Sequence, residues 1–219
     1  MNTGRIADLL NPFLGGSTLT PDQLANISMY IDILLHWNAR INLTAVREPE
    51  EIVARHFGES FFAARLLLPQ QEDQDRSVGK EVRVLDVGSG AGFPGMPIKI
   101  WAPHAHVTLV ESNHKKATFL KEVARSLRLT DIDVFARRAE ELKAASADLV
   151  TLRAVEKFEA ILPVAAALVG GKGRLAILIG ESQASRAAEL VQDIRWQSTV
   201  PVPNSIRRVL LIGDKEPKE

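Results

Sequence analysis

The segment VLDVGSGAGFPG, Val84 to Gly95, constrains this chain more than any other. An apolar run ends in an acid and passes at once into glycines at alternate positions, Gly88, Gly90 and Gly92. A strand that turns sharply into a helix needs backbone angles that only a residue without a Cβ adopts freely, and the missing side chains let a ligand approach the main chain. The segment therefore predicts a strand, a tight turn and a helix, with a ligand seated over the turn.

Two ligand classes use this device. A dinucleotide fold places GxGxxG after the strand and sets pyrophosphate on the helix N-terminus, and Gly90, Gly92 and Gly95 fit that spacing. The letters alone do not choose. Asp86 is more telling, because a carboxylate at a strand tip sits poorly beside a diphosphate but suits the cationic ammonium and sulfonium end of S-adenosylmethionine. Pro94 also removes an amide from the would-be phosphate turn. From Ala105 the chain reads AHVTLV and closes in Glu111. An acid about 20 residues past the glycines can accept both ribose hydroxyls, although it would equally serve as a helix N-cap. The expectation is an S-adenosylmethionine site built from Asp86, Gly88, Gly90, Gly92 and Glu111.

Beyond Lys80, strands and helices alternate. Strands are predicted over 82–87, 107–110, 132–135, 149–152 and 174–179, with helices near Pro97, from Lys115 to Leu127 and from Phe158 to Leu168. That order predicts a parallel sheet with helices on both faces and a ligand at the carboxyl ends of the strands. The closing strands, Trp196 to Val202 and Ile206 to Ile212, are joined by Pro203 and Asn204 and read as a hairpin. A mostly parallel seven-stranded α/β sheet finished by an antiparallel hairpin favours the Rossmann-like architecture of class I S-adenosylmethionine-dependent methyltransferases over a nicotinamide fold. Ahead of it, residues 1–69 read as a helical cap. Its helices are expected over 5–13, from a capping box at Thr20, Pro21 and Gln23, and over 49–68. Leu24, Ile27, Ile31, Leu34 and Leu35 form the apolar stripe of the second. The polar stretch 70–80 is expected to be a linker, and 81–219 the cofactor-binding domain.

Composition narrows the chemistry. The chain has no cysteine, which removes disulfides, cysteine-ligated zinc, iron–sulfur clusters and a thiolate nucleophile, and with them radical and cytosine-C5 methyl transfer. No carboxylate cluster accompanies the five histidines, so no metal site is expected. No apolar run reaches the roughly 18 residues that would span a bilayer, and no signal peptide is legible, so the expected location is cytoplasmic. Lysine plus arginine balance aspartate plus glutamate at 27 each, which denies the chain a global basic field. Positive residues nonetheless gather locally. Lys115 and Lys116, with Lys121, Arg125 and Arg128, crowd one predicted helix; Arg137 and Arg138 follow the next strand; Arg207 and Arg208 lie near the C-terminus. Singly, each reads as a solvated face; gathered around the ligand mouth, they would make a phosphate-binding surface for RNA.

Two segments together resemble the RsmG or GidB family, guanine-N7 methyltransferases of 16S ribosomal RNA. One is the glycine loop with its continuation Phe93, Pro94, Gly95; the other is WNARINLTAVREPEEIVARHFGES, Trp37 to Ser60. The latter is similar to the family's WNxxxNLT followed by an Arg-His pair, here Arg55 and His56, and the resemblance covers nearly the whole chain. Glu59 departs from it, standing where an aspartate is expected before Ser60. The resemblance implies cofactor contacts at Gly88, Phe93, Ala139, Glu140 and Arg153, and a substrate that is 16S ribosomal RNA or a small-subunit precursor, handled by a monomer. Ala139 and Glu140 follow the third strand and Arg153 ends the fourth, at the ligand end of the sheet. Read without the family, Phe93 is core, Glu140 a helix N-terminal acid and Arg153 a surface ion-pair partner. A ring nitrogen with a free lone pair needs no base, so none is named. The fourth strand reads TLRAV in place of the Asn/Asp-Pro-Pro-aromatic sequence of exocyclic-amine methyltransferases. A methyltransferase for another RNA, a small molecule or a protein, or a non-catalytic sensor, is compatible with the same pocket.

Overall fold

Strand β1 (Arg83–Val87) lies at the centre of the sheet in the computed structural model, which describes residues 1–68, 82–154 and 157–216; the linker expected at 70–80 falls outside them. Parallel neighbours flank it: β2 (His106–Val110) and then β3 (Ile132–Phe135) on one side, β4 (Ala147–Arg153) and then β5 (Val169–Gly180) on the other. Strand β8 (Arg208–Lys215) runs antiparallel to β5, and β6 (Ile194–Trp196) and β7 (Val200–Pro201) share its outer edge. Eight segments thus fill seven positions, in the order β3-β2-β1-β4-β5-β8-β6, with β7 also paired to β8. The outer strand, expected as one run, breaks in two, although the Gln197 amide between the halves still donates to the Ile212 carbonyl at 2.8 Å. Strand β5 begins at Val169, ahead of the expected Arg174, and takes in the glycines through a register shift against β4.

Helix α1 spans Thr3–Leu14 and α2 spans Pro21–Asn38. The capping box that opens α2 is present: the Gln23 amide donates to Thr20 Oγ1 at 3.2 Å and the Thr20 amide to Gln23 Oε1 at 2.8 Å. The third expected helix is composite. It runs through α3 (Pro49–Glu51), a π-helical turn (Ile52–Gly58) and α4 (Glu59–Leu67). Helices α5 (Gly95–Trp101), α6 (His114–Ser126) and α7 (Phe158–Leu168) fall where the sequence puts them. Helix α8 (Ala184–Leu190) does not appear in the sequence reading, because it buries only Ala187 and so leaves no apolar stripe.

Alternation along the strands sorts the core into two layers. Val84, Leu149, Leu178 and Leu210 pack into one cluster with α1, α2, the π-helical turn, α4, α5 and α6. Leu85, Val87, Val150, Leu152, Ile177 and Leu211 pack into the other, with α7 and α8. The same period of two sets Asp86, Thr151, Arg153 and Arg208 toward the first layer. Polar stitches tie the N-terminal helices to that layer: Gln23 Nε2 donates to the Ile100 carbonyl at 2.7 Å, and Trp101 Nε1 to the Leu68 carbonyl at 2.8 Å. Among the described residues, no helix is long and apolar enough to cross a membrane.

The glycine turn is wedged against this cap. Tyr30 of α2 is fully buried, donates its hydroxyl to the Ala91 carbonyl at 2.5 Å and stacks on Phe93 with ring centroids 5.4 Å apart. Gly92 has φ +89°, and a Cβ there would land on the Tyr30 hydroxyl. Gly92→Ala adds a left-handed penalty of about 1–2 kcal/mol to overpacking of about 1–3 kcal/mol. The expected loss is about 2–5 kcal/mol, seen as a lower urea midpoint with an unchanged slope.

Candidate cofactor and acceptor site

Gly88, Gly90 and Gly92 all have positive φ, as the turn requires. What the letters do not reveal is how completely the turn consumes its own amides. Gly88 and Ser89 donate to the Val110 carbonyl, Gly90 to Glu111 Oε2, Gly92 and Phe93 to the Ser89 carbonyl, and Gly95 to Asp86 Oδ2. A pyrophosphate would find few free donors here, so the dinucleotide alternative loses its physical basis.

Asp86 differs from its expected place. The carboxylate meant to face a cationic cofactor is fully buried beneath the turn. Its Oδ1 accepts from the Thr151 hydroxyl at 2.8 Å, and its Oδ2 accepts from the Gly95 amide at 3.2 Å. Burial pushes the carboxyl up to about 6 against the pull of those bonds. Asp86 therefore holds β1, β4 and the start of α5 together. Glu111, at the tip of β2, is also buried, with Oε2 on the Gly90 amide at 2.9 Å and Oε1 on the Asn113 amide at 2.7 Å. It is not the cap of α6, since Asn113 fills that position. Each Glu111 oxygen keeps a second lone pair, which fits ribose hydroxyls. Ala139 is buried and Glu140 exposed in a short 3₁₀ turn beyond the tip of β3. An exposed Gly88 backbone, a ribose acceptor and internally satisfied turn amides together fit S-adenosylmethionine.

The Phe93 and Arg153 side chains both turn toward the N-terminal helices. The Phe93 ring is buried against Tyr30, His56 and Phe57, so any contact to a cofactor there belongs to its backbone. Arg153 ends β4 on the cap-facing side, two residues beyond Thr151. Its Nε and Nη2 donate to Glu59 Oε2 at 3.2 and 3.0 Å, and Nη2 also reaches the Arg55 carbonyl at 2.9 Å and His56 Nδ1 at 3.0 Å. The Arg153 side chain is 7% exposed and that of Glu59 5%. Since a guanidinium only donates, His56 Nδ1 accepts and its Nε2 carries the proton toward Thr44 Oγ1 at 2.7 Å. Burial and the nearby charges of Arg153, Arg55 and Arg208 push His56 down to about 3, so the ring is neutral. Thr44 is held in turn by Asn38, which accepts from the Leu43 and Thr44 amides and donates to the Thr44 carbonyl. The WNxxxNLT and Arg-His segments thus build one relay from α2 to the tip of β4. The sequence pattern marks these residues without revealing a role; Glu59, at the departure from the family pattern, carries the relay's negative charge.

Beside that tip, a cavity of about 100 Å³ opens among Arg153, Ala154, Phe158, Gly180, Gln183 and Arg208. The strand order sets it next to the cofactor site over β1 and β2, where an acceptor would enter. Of the basic residues singled out in the sequence, Lys115 and Lys116 occupy the first turn of α6, Arg137 and Arg138 follow β3, and Arg207 sits in the turn before β8. All five lie at the carboxyl end of the parallel strands, and all but the half-buried Lys116 are exposed. Lys121, Arg125 and Arg128 follow α6 away from that end. Arg208 stands apart from the surface group, with its Nε 2.9 Å from Glu59 Oε2 and a side chain 23% exposed.

A family model described as rRNA small subunit methyltransferase G, GidB, matches residues 23–207. The ribosomal RNA small subunit methyltransferase G of Bacillus pumilus is 34% identical over 217 residues, 92% of this chain and 86% of that one. Its counterpart from Syntrophotalea carbinolica is 36% identical over 203 residues, covering 91% and 88%. Among solved structures, a SAM-dependent methyltransferase from Aquifex aeolicus matches with a TM-score of 0.52 at 18% identity, covering 62% of this chain and 84% of that chain. A SAM-dependent O-methyltransferase from Thermotoga maritima matches with a TM-score of 0.54 at 17% identity, covering 85% and 72%. At such identities the likeness concerns the fold, the class I methyltransferase sheet.

Two outcomes follow from the relay. Glu59→Gln leaves two arginines without their counter-charge, and a loss of about 3–5 kcal/mol is expected in chemical unfolding. The second concerns pH. Folded Asp86 holds its proton up to about 6 instead of 3.8, so its contribution to stability falls as pH rises between those values. Folded His56 stays neutral down to about 3 instead of 6.5, so its contribution falls as pH drops through that window. The two offset each other between about pH 4 and 6. His56→Gln removes one of them, and the variant should gain on the parent by up to about 1.4 kcal/mol per pH unit as the medium is acidified across that range. Urea unfolding of both proteins at a series of pH values reads the difference directly.

Proposed function

This chain belongs to the GidB family, the rRNA small subunit methyltransferase G enzymes, and we propose that it transfers the methyl group of S-adenosylmethionine to N7 of a guanine in 16S ribosomal RNA. The observation that supports a ring-nitrogen acceptor is the state of the proton-bearing groups. Among the described residues around the ends of β1 and β4, Asp86 is buried with both oxygens engaged, Glu59 is held by arginines, and neutral His56 has both ring nitrogens bonded. None of the three is free to remove a proton. Guanine N7 has no proton to lose, and its lone pair lies in the ring plane, ready for in-line attack.

Residues of this chain then have one task, alignment. Glu111 and the glycine turn would hold the adenosine half of the cofactor, with Ala139 and Glu140 beside the adenine. Bound there, S-adenosylmethionine supplies an electrophilic methyl group on a sulfonium. Phe158 and the β4–β5 tips wall the neighbouring cavity, where the guanine would seat. Holding the reacting atoms in near-attack geometry supplies up to about 7–11 kcal/mol without acid–base help. Lys115, Lys116, Arg137, Arg138 and Arg207 would carry the RNA backbone at the same end of the sheet, a local patch on a chain whose formal net charge is zero. On this reading the protein works in the cytoplasm, on the RNA of the small ribosomal subunit or its precursor.

Incubating the protein with labelled S-adenosylmethionine and 16S RNA is expected to yield 7-methylguanine on digestion. Label at another atom or base overturns the acceptor, and transfer only to a small molecule or protein overturns the substrate class. Reversing two charges, Lys115→Glu with Lys116→Glu, should weaken RNA binding at least about tenfold and lower the salt slope by about two, with cofactor affinity unchanged.

A further inference from the structure

Arg153 and Arg208 converge on a single carboxylate oxygen, Glu59 Oε2, at 3.0 and 2.9 Å. Among the described residues two positive charges thus meet one negative charge at that oxygen, and neutral His56 adds none. The excess is not symmetric. Arg153 has good hydrogen bonds through Nε and Nη2, whereas Arg208 Nε, though close to Glu59, is misaligned, and among the described residues neither the buried Nε nor the buried Nη2 of Arg208 has a hydrogen-bond partner. Nε and Nη2 form one edge of the guanidinium, the edge that binds two oxygens of one anion side by side. Arg208 also lines the cavity beside the tip of β4, and its side chain is 23% exposed, so that a change of rotamer would bring that edge to the opening. Arg207, exposed, adjoins it.

We infer that Arg208 is a phosphate clamp, which leaves Glu59 to grip the backbone phosphate of the nucleotide whose base enters the cavity. The inference rests on the RNA reading above and adds the group recognised and the side chain that recognises it. A base edge is the weaker candidate on chemical grounds. The two neighbouring acceptors of guanine that fit such a fork are O6 and N7, and a fork on N7 would occupy the lone pair that must attack. A phosphodiester offers two equivalent oxygens, neutralises the surplus charge and leaves N7 free. Glu59 meanwhile keeps Arg153, so releasing Arg208 does not strand a charge in the core.

The test uses the full chain, with Arg208→Gln, Arg208→Lys and, as a control on β6 beside the opposite end of β8, Arg195→Gln. Each is assayed for methyl transfer to 16S RNA, RNA binding over a range of potassium chloride, and cofactor binding by calorimetry. For Arg208→Gln the plot of log affinity against log salt is expected to lose about one unit of slope, and KM for RNA to rise about tenfold, with cofactor Kd unchanged. Arg208→Lys should recover the slope, because the charge remains, but only part of the KM, because the fork is gone. Arg195→Gln should match the parent. A parent-like slope and KM in Arg208→Gln overturn the clamp while leaving the methyltransferase reading intact; weakened cofactor binding with unaltered RNA binding assigns the arginine to the cofactor and also overturns it. Failure of the parent itself to methylate RNA would instead overturn the functional reading beneath. Should Arg208→Gln fail to fold, the separation of slope from KM in Arg208→Lys decides.

Discussion

Arg153 stands at the end of a strand buried on both faces, and the pleat turns it inward. Such a charge costs several kcal/mol unless a partner comes with it. Among the described residues, the strands bring it no hydrogen-bond partner; the N-terminal helices bring Glu59, the Arg55 carbonyl and the acceptor nitrogen of His56. The cap is therefore bound to the sheet by electrostatic necessity as well as by the shared apolar layer. The ligand end of β4 takes its final shape only when the cap is docked.

The acids near the glycine turn show a second economy. Asp86 and Glu111 both spend their oxygens on the protein's own amides and hydroxyl, and the turn's amides are spent in return. A loop of this kind is rigid before any ligand arrives, which is what alignment-based catalysis asks of its scaffold. Chemistry that needed a proton moved would require one of these groups to be idle.

Features governed by local rules were legible in the sequence. The positive-φ glycines, the capping box at Thr20, strand 132–135 and helix 158–168 each follow from a few neighbouring residues, and the structure has them in place. Asp86 was read as a strand-tip acid because the glycines follow so closely. Val87 still belongs to β1, however, which leaves Asp86 one pleat short of the rim and directly opposite Thr151. Alternation through Val84, Leu85 and Val87 contains that information. Arg153 was read by its position at the end of a strand and not by its face. Its partner lies 94 residues earlier, and no local pattern announces a contact at that range. The broken outer strand and α8 escaped because short, half-exposed segments leave no periodic signal.

The π-helical turn over Ile52–Gly58 itself rests on α1 and ends at the residue that meets Arg153. Such a turn accommodates one residue more than an α-helix would. Wound as a regular α-helix, the same residues would turn everything after them by about 100°. Glu59 would then swing around the axis of its own helix and leave Arg153 facing carbon. The widened turn is what brings an acid of the N-terminal helices into line with an arginine of the sheet.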